Sequence, residues 1–118
     1  MDNKKLFRKV ITYYAKQYKN IGLKSEEEMD LLAYDFMRVC FQNEWICKKY
    51  MDYSDKWKEI KEDIKNISNC SIKECIILLT FCQRENYWSY DYKTYIERTK
   101  DGTIPALINR IYTLLIEE

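Results

Sequence analysis

Histidine is absent from all 118 residues, and this absence excludes more chemistry than any residue present suggests. Without imidazole there is no Ser-His-Asp or Cys-His nucleophilic site. Zinc sites that need imidazole, and histidine-ligated haem or non-haem iron, are excluded too. Glycine occurs twice and proline once. That is too few for the glycine loops that cradle phosphates and for the regular turns of an all-β chain. Helices are the default. Long apolar runs are also missing. The longest, Cys75 to Leu79, is far short of the roughly 20 residues that span a bilayer. The start, Met1-Asp2-Asn3-Lys4-Lys5, has no apolar signal region behind it. The expectation is a cytoplasmic protein with no membrane contact.

Cysteine is present but forms no framework: five residues, Cys40, Cys47, Cys70, Cys75 and Cys82, an odd number. In a reducing compartment they read as small buried hydrophobes. Cys40 and Cys47 are seven apart, as are Cys75 and Cys82. On a helix such a pair shares a face, but its sulfurs stand about 10 Å apart along the axis. Zinc needs its ligands within about 2.3 Å of one point, so no metal site and no cofactor is assigned. An enzyme would have to run on carboxylate, lysine, tyrosine or cysteine. Glu59 and Asp63 are four apart but sit among Lys56, Lys58 and Lys61. Nothing there suggests the burial that would raise a pKa for acid–base work.

What is present is amphipathic. The composition is 47% hydrophobic and 33% charged, enough for one core and unlike a disordered chain. Leu6, Val10 and Tyr14, with Phe7, Ile11 and Tyr18, predict a helix over 3–20 that stops near Gly22. Ser25 with Glu28 and Ser71 with Glu74 are two capping boxes. The first opens a helix with Met29, Leu32, Phe36, Val39 and Cys40 on one face, running on through Trp45 to about Lys49. Residues 50–54 read as a connection. Asp52 or Ser54 is expected to cap a third helix bearing Trp57, Ile60, Ile64 and Ile67. The second box opens a helix over about 72–84, apolar on most sides and hence central. Ser89 is expected to cap a short helix ending at Gly102. Thr103 is expected to cap the last, with Pro105 in its first turn. The reading is an all-α fold: one domain over 1–118, a single compact bundle of about five to six helices.

Charge is uneven. Residues 1–24 hold seven Lys or Arg and one acid, and residues 25–118 hold thirteen bases and eighteen acids. Lys4, Lys5, Arg8, Lys9, Lys16 and Lys19 make the first helix a candidate nucleic-acid surface. The bland reading is a solvated face that offsets the acidic helix after it. Further along, Tyr87, Trp88, Tyr90, Tyr92 and Tyr95 follow Arg84. Tyr, Trp and Arg are over-represented at binding hot spots. The competing reading is that these rings fill space between helices. Arg84 and Glu85 suggest a local ion pair, weak evidence for a site. Lys, Ile, Tyr and Asn, with A/T-rich codons, total 15, 14, 11 and 7. That bias points to a low-GC bacterium, its phages or its mobile elements.

A pattern runs through the C-terminal part: Asp52-Tyr53 with Trp57, Leu78-Leu79-Thr80, Arg84-Glu85 and Tyr87-Trp88. It closes with Gly102-Thr103-Ile104, Leu107-Ile108 and Arg110-Ile111. It resembles a bacterial and phage helical domain family of unknown function, over about residues 30–115. The family tends to carry an acid, an Arg-Phe pair and a later acid-Gly where this chain has Asn86, Tyr87-Trp88 and Tyr90-Asp91. The resemblance implies a helical fold and no particular activity. The functional expectation is a small module that binds another protein, an inhibitor or adaptor encoded by a phage or mobile element. Nucleic-acid binding by the first helix is the alternative.

Overall fold

In a computed structural model, residues 3–89 and 93–117 are described. They form six α-helices and three 3-10 turns, with no strand among them. The helices are α1 (Asn3–Lys19), α2 (Glu26–Gln42), α3 (Ser54–Glu62), α4 (Ile72–Trp88), α5 (Thr94–Lys100) and α6 (Thr103–Ile116). The all-α bundle expected from composition and periodicity is what forms.

Both capping boxes are made. The Glu28 and Glu74 backbone N–H groups donate to the Ser25 and Ser71 hydroxyls at 3.2 and 3.1 Å. The two carboxylates accept the serine backbone N–H groups at 2.9 and 3.0 Å. Each box satisfies two backbone donors that the first helical turn leaves unpaired.

Helix α4 is the centre. Cys75 and Ile77 to Cys82 are all buried, so α4 meets neighbours on nearly every side. It packs against α5 and α6, while α1 lies on α6 and α2 on α5. Ile11, Phe36, Leu78, Ile104, Leu107, Ile108 and Ile111 are fully buried in one continuous core. No described helix is long and apolar enough to cross a membrane.

Several boundaries differ from the periodicity reading, each for a local reason. Helix α2 ends at Gln42 rather than near Lys49. Glu44 takes φ 61°, Trp45 N–H donates to Cys40 O at 2.8 Å, and Glu44 N–H donates to Phe41 O at 3.2 Å. This is a Schellman closure with glutamate where glycine is usual. It turns Trp45 back onto Phe7, ring centroids 4.9 Å apart. The α3 stripe is broken at Asp63, which is extended and accepts Lys65 N–H at 3.0 Å. Ile60 and Ile67 are still buried on either side of the break. Neither Asp52 nor Ser54 caps α3; Tyr53 holds that position with no side-chain bond.

Helix α4 runs on to Trp88 because no glycine or proline interrupts it. Ser89 closes α4 rather than opening α5, its N–H and hydroxyl both donating to Asn86 O. The acceptor at the start of α5 is Asn86 Oδ1, which takes Tyr95 N–H at 3.3 Å. At the last helix Gly102 stands before Thr103, and Asp101 Oδ1 accepts Thr103 N–H at 2.9 Å.

Candidate functional site

The Arg84–Tyr95 stretch is divided by the fold. Tyr87 and Trp88 close α4 at 65% and 76% exposure, their rings nearly perpendicular at 5.2 Å. Tyr95 is 4% exposed and belongs to the core, not to a surface. Burial lifts its phenol well above the ordinary value of 10. Tyr90 and Tyr92 lie outside the described residues.

Arg84 and Glu85 do not pair. Adjacent residues on a helix point apart. Glu85 accepts from Arg98 Nε at 3.0 Å and pairs with Lys61 at 3.5 Å. Arg84 turns toward the Tyr50 ring, 5.8 Å from its centroid. Its Nε is buried and finds no acceptor among the described residues. Tyr50 in turn meets Phe81 edge-on at 5.0 Å, and Phe81 stacks flat on Trp57 at 5.2 Å. The guanidinium is thus set beside a run of aromatic rings, with its Nε–H unpaired among the described residues.

Arg84 lines a groove of about 410 Å³ between α2 and α4. Met37 and Tyr95 are buried at its base, while Tyr34, Phe41 and Tyr87 stand exposed around it. The sequence reading assigned α2 only its buried face. Yet Tyr34 and Phe41 flank that face beside Met37, with Leu31 beyond them, each more than half exposed. The signal was present as apolar residues that widen the stripe of that helix beyond its buried face.

The basic residues sit elsewhere. Lys4, Lys5, Arg8, Lys9, Lys16 and Lys19 are all exposed on α1, a helix with no acid. At 3.6 residues per turn they fall within a sector of about 140°. Arg8 also donates to the Leu115 carbonyl at the end of α6. None of these cations lines the α2–α4 groove.

Several other titratable groups have structural occupations. Burial pushes the Cys40 and Cys75 thiols up to about 12, and raises Cys82 further. Buried, protonated thiols are not nucleophiles. All five cysteines are free, and no group of three metal-ligating side chains gathers among the described residues. Glu59 pairs with Lys56 at 4.0 Å, and Asp63 is occupied by the Lys65 amide. Asp30 is raised by desolvation but does not line the α2–α4 groove. Among the described residues no activated nucleophile or acid–base pair stands out.

Nothing among family models, curated proteins or solved structures significantly matches the chain.

Proposed function

We propose that this chain is a protein-binding module that docks a partner on the groove between α2 and α4. Arg84 is the observation that carries the reading. Arg84 lines a groove rimmed by exposed aromatic rings, and its buried Nε–H has no acceptor among the described residues. A buried unpaired donor costs about 1–3 kcal/mol. A carbonyl or carboxylate that docks on the guanidinium recovers that energy once the side chain turns its Nε–H toward the groove. Tyr34, Phe41 and Tyr87 supply apolar area around it, extended by Trp88 edge-on against Tyr87, the composition of a hot spot with a polar centre. The partner is a protein surface that offers an apolar anchor beside a hydrogen-bond acceptor. The role is that of an inhibitor or adaptor.

The test is capture of partners from a lysate of the source cell, with nuclease, using the native chain beside Arg84→Ala and Trp88→Ala. A stoichiometric protein retained by the native chain and lost from both variants, with thermal melts unchanged, supports the proposal. Retention that ignores both substitutions overturns it.

Nucleic-acid binding is the second reading, favoured by the acid-free α1 with its six exposed cations. It requires affinity for a DNA or RNA duplex that falls steeply with salt. Recovery that depends on intact nucleic acid would transfer the case to α1.

A further inference from the structure

The first and last helices leave a second hollow that the groove does not touch. It has a volume of about 500 Å³, within the roughly 300–1,000 Å³ of small-molecule sites. Its apolar lining comes from four separate segments: Phe7 of α1, Trp45 of the turn after α2, Ile72 and Ile76 of α4, and Leu115 of α6. Phe7 and Trp45 meet edge-on and are only half-buried, so apolar ring surface stays open to solvent.

The rim is basic. Lys5 and Arg8 line the hollow, and no acid is among its described lining residues. The bond to the Leu115 carbonyl braces Arg8 there. That bond uses one of the five N–H donors of a guanidinium. The remaining fork suits a carboxylate.

We infer that this hollow binds a small amphiphilic carboxylate, with its apolar chain or ring against Phe7, Trp45 and Ile76 and its head between Lys5 and Arg8. The apolar lining distinguishes this ligand from a phosphate backbone, which would use the lysines and have no use for the floor. The hollow is separate from the α2–α4 groove, so the two proposals stand or fall independently.

The test is calorimetric titration of the full chain with sodium dodecanoate below its micelle concentration. Dodecanol and dodecyltrimethylammonium are the uncharged and cationic controls, and tryptophan emission is read in parallel. One saturable site is expected, with an emission change that vanishes in Trp45→Phe. Both controls should bind about tenfold more weakly or worse, the worth of a charge-assisted hydrogen bond. Lys5→Glu, an exposed substitution that should leave the melt unchanged, should weaken dodecanoate by a similar factor. The inference is overturned by absent or non-saturable binding, by dodecanol binding as well as dodecanoate, or by a folded Lys5→Glu chain of unchanged affinity. Attachment to phosphatidylglycerol vesicles without any dodecanoate binding would overturn it in favour of a membrane surface.

Discussion

Thr80, in the middle of α4, accepts the backbone N–H of Cys47 at 3.1 Å while donating to Ile76 O at 2.8 Å. It is 2% exposed, so this single hydroxyl ties the turn after α2 to the centre of the bundle. Thr80→Val keeps the shape and leaves the Cys47 amide without its partner. A loss of about 1–3 kcal/mol is expected, read as a lower urea midpoint. Thr80→Ser should retain most of the stability. Equal losses in both would mean that the methyl group, not the hydroxyl, matters.

Asn86 plays a comparable part for α5, accepting Tyr95 N–H from outside that helix. Asn86→Ala should cost about 1 kcal/mol, like the loss of a cap, and should speed hydrogen exchange at the Tyr95 amide. Asn86→Asp should lose less, because the carboxylate still accepts and its charge suits the start of α5, although it opposes the dipole at the end of α4. If Ala and Asp behave alike, the bond contributes nothing.

Two positive-φ positions should respond in opposite directions. Gly102 has φ 89°, and an added Cβ would meet Ile64 Cδ1 at 3.3 Å. Gly102→Ala should therefore destabilise by about 1–2 kcal/mol. Glu44, at φ 61° in the closure of α2, already bears that strain. Glu44→Gly should stabilise, by up to about 1 kcal/mol. Melts that move in the same direction would contradict this account.

Glu74 is held below its ordinary value of 4.5, chiefly by the bond it accepts from the Ser71 backbone, against desolvation, with Lys56 3.6 Å away assisting. A carboxylate depressed in the folded state stabilises above its unfolded value, and this is lost as pH falls through the folded value. Glu74→Gln should thus be less stable than the native chain near about pH 6, with the gap closing toward about pH 3. Urea midpoints taken across that range decide it. A gap that stays constant would show that the charge is not involved.

Four of the five thiols are buried, with Cys40, Cys70, Cys75 and Cys82 all raised by desolvation. Cys47 is half-buried beside Lys48 and Lys49 on a hollow near α4. A native-state titration with a disulfide reagent near about pH 8 should show one fast thiol, since reactivity follows accessible thiolate. Cys47→Ser should abolish the fast phase. Several fast thiols would mean that the core opens readily.

Much was legible in the sequence because it is local. The helical class follows from two glycines, one proline and 3.6-residue periodicity. Ser25 with Glu28 and Ser71 with Glu74 cap as read, since partners three residues apart must meet once a helix starts. The burial of most cysteines and the central place of α4 follow from apolar residues on every side. Other features needed the tertiary structure. Tyr95 and Tyr87 look alike in sequence, but one is core and the other exposed, depending on where α5 meets α2. Whether Arg84 pairs with Glu85 or Arg98 does depends on which helix lies across α4. The stop at Glu44 escaped because glutamate is not the usual residue for that conformation. The basic-rimmed hollow joins Phe7, Trp45, Ile76 and Leu115 across almost the whole chain. Periodicity determines which face of a helix is apolar; only the packing of helices against one another decides which apolar faces are covered and which polar groups are left without a partner.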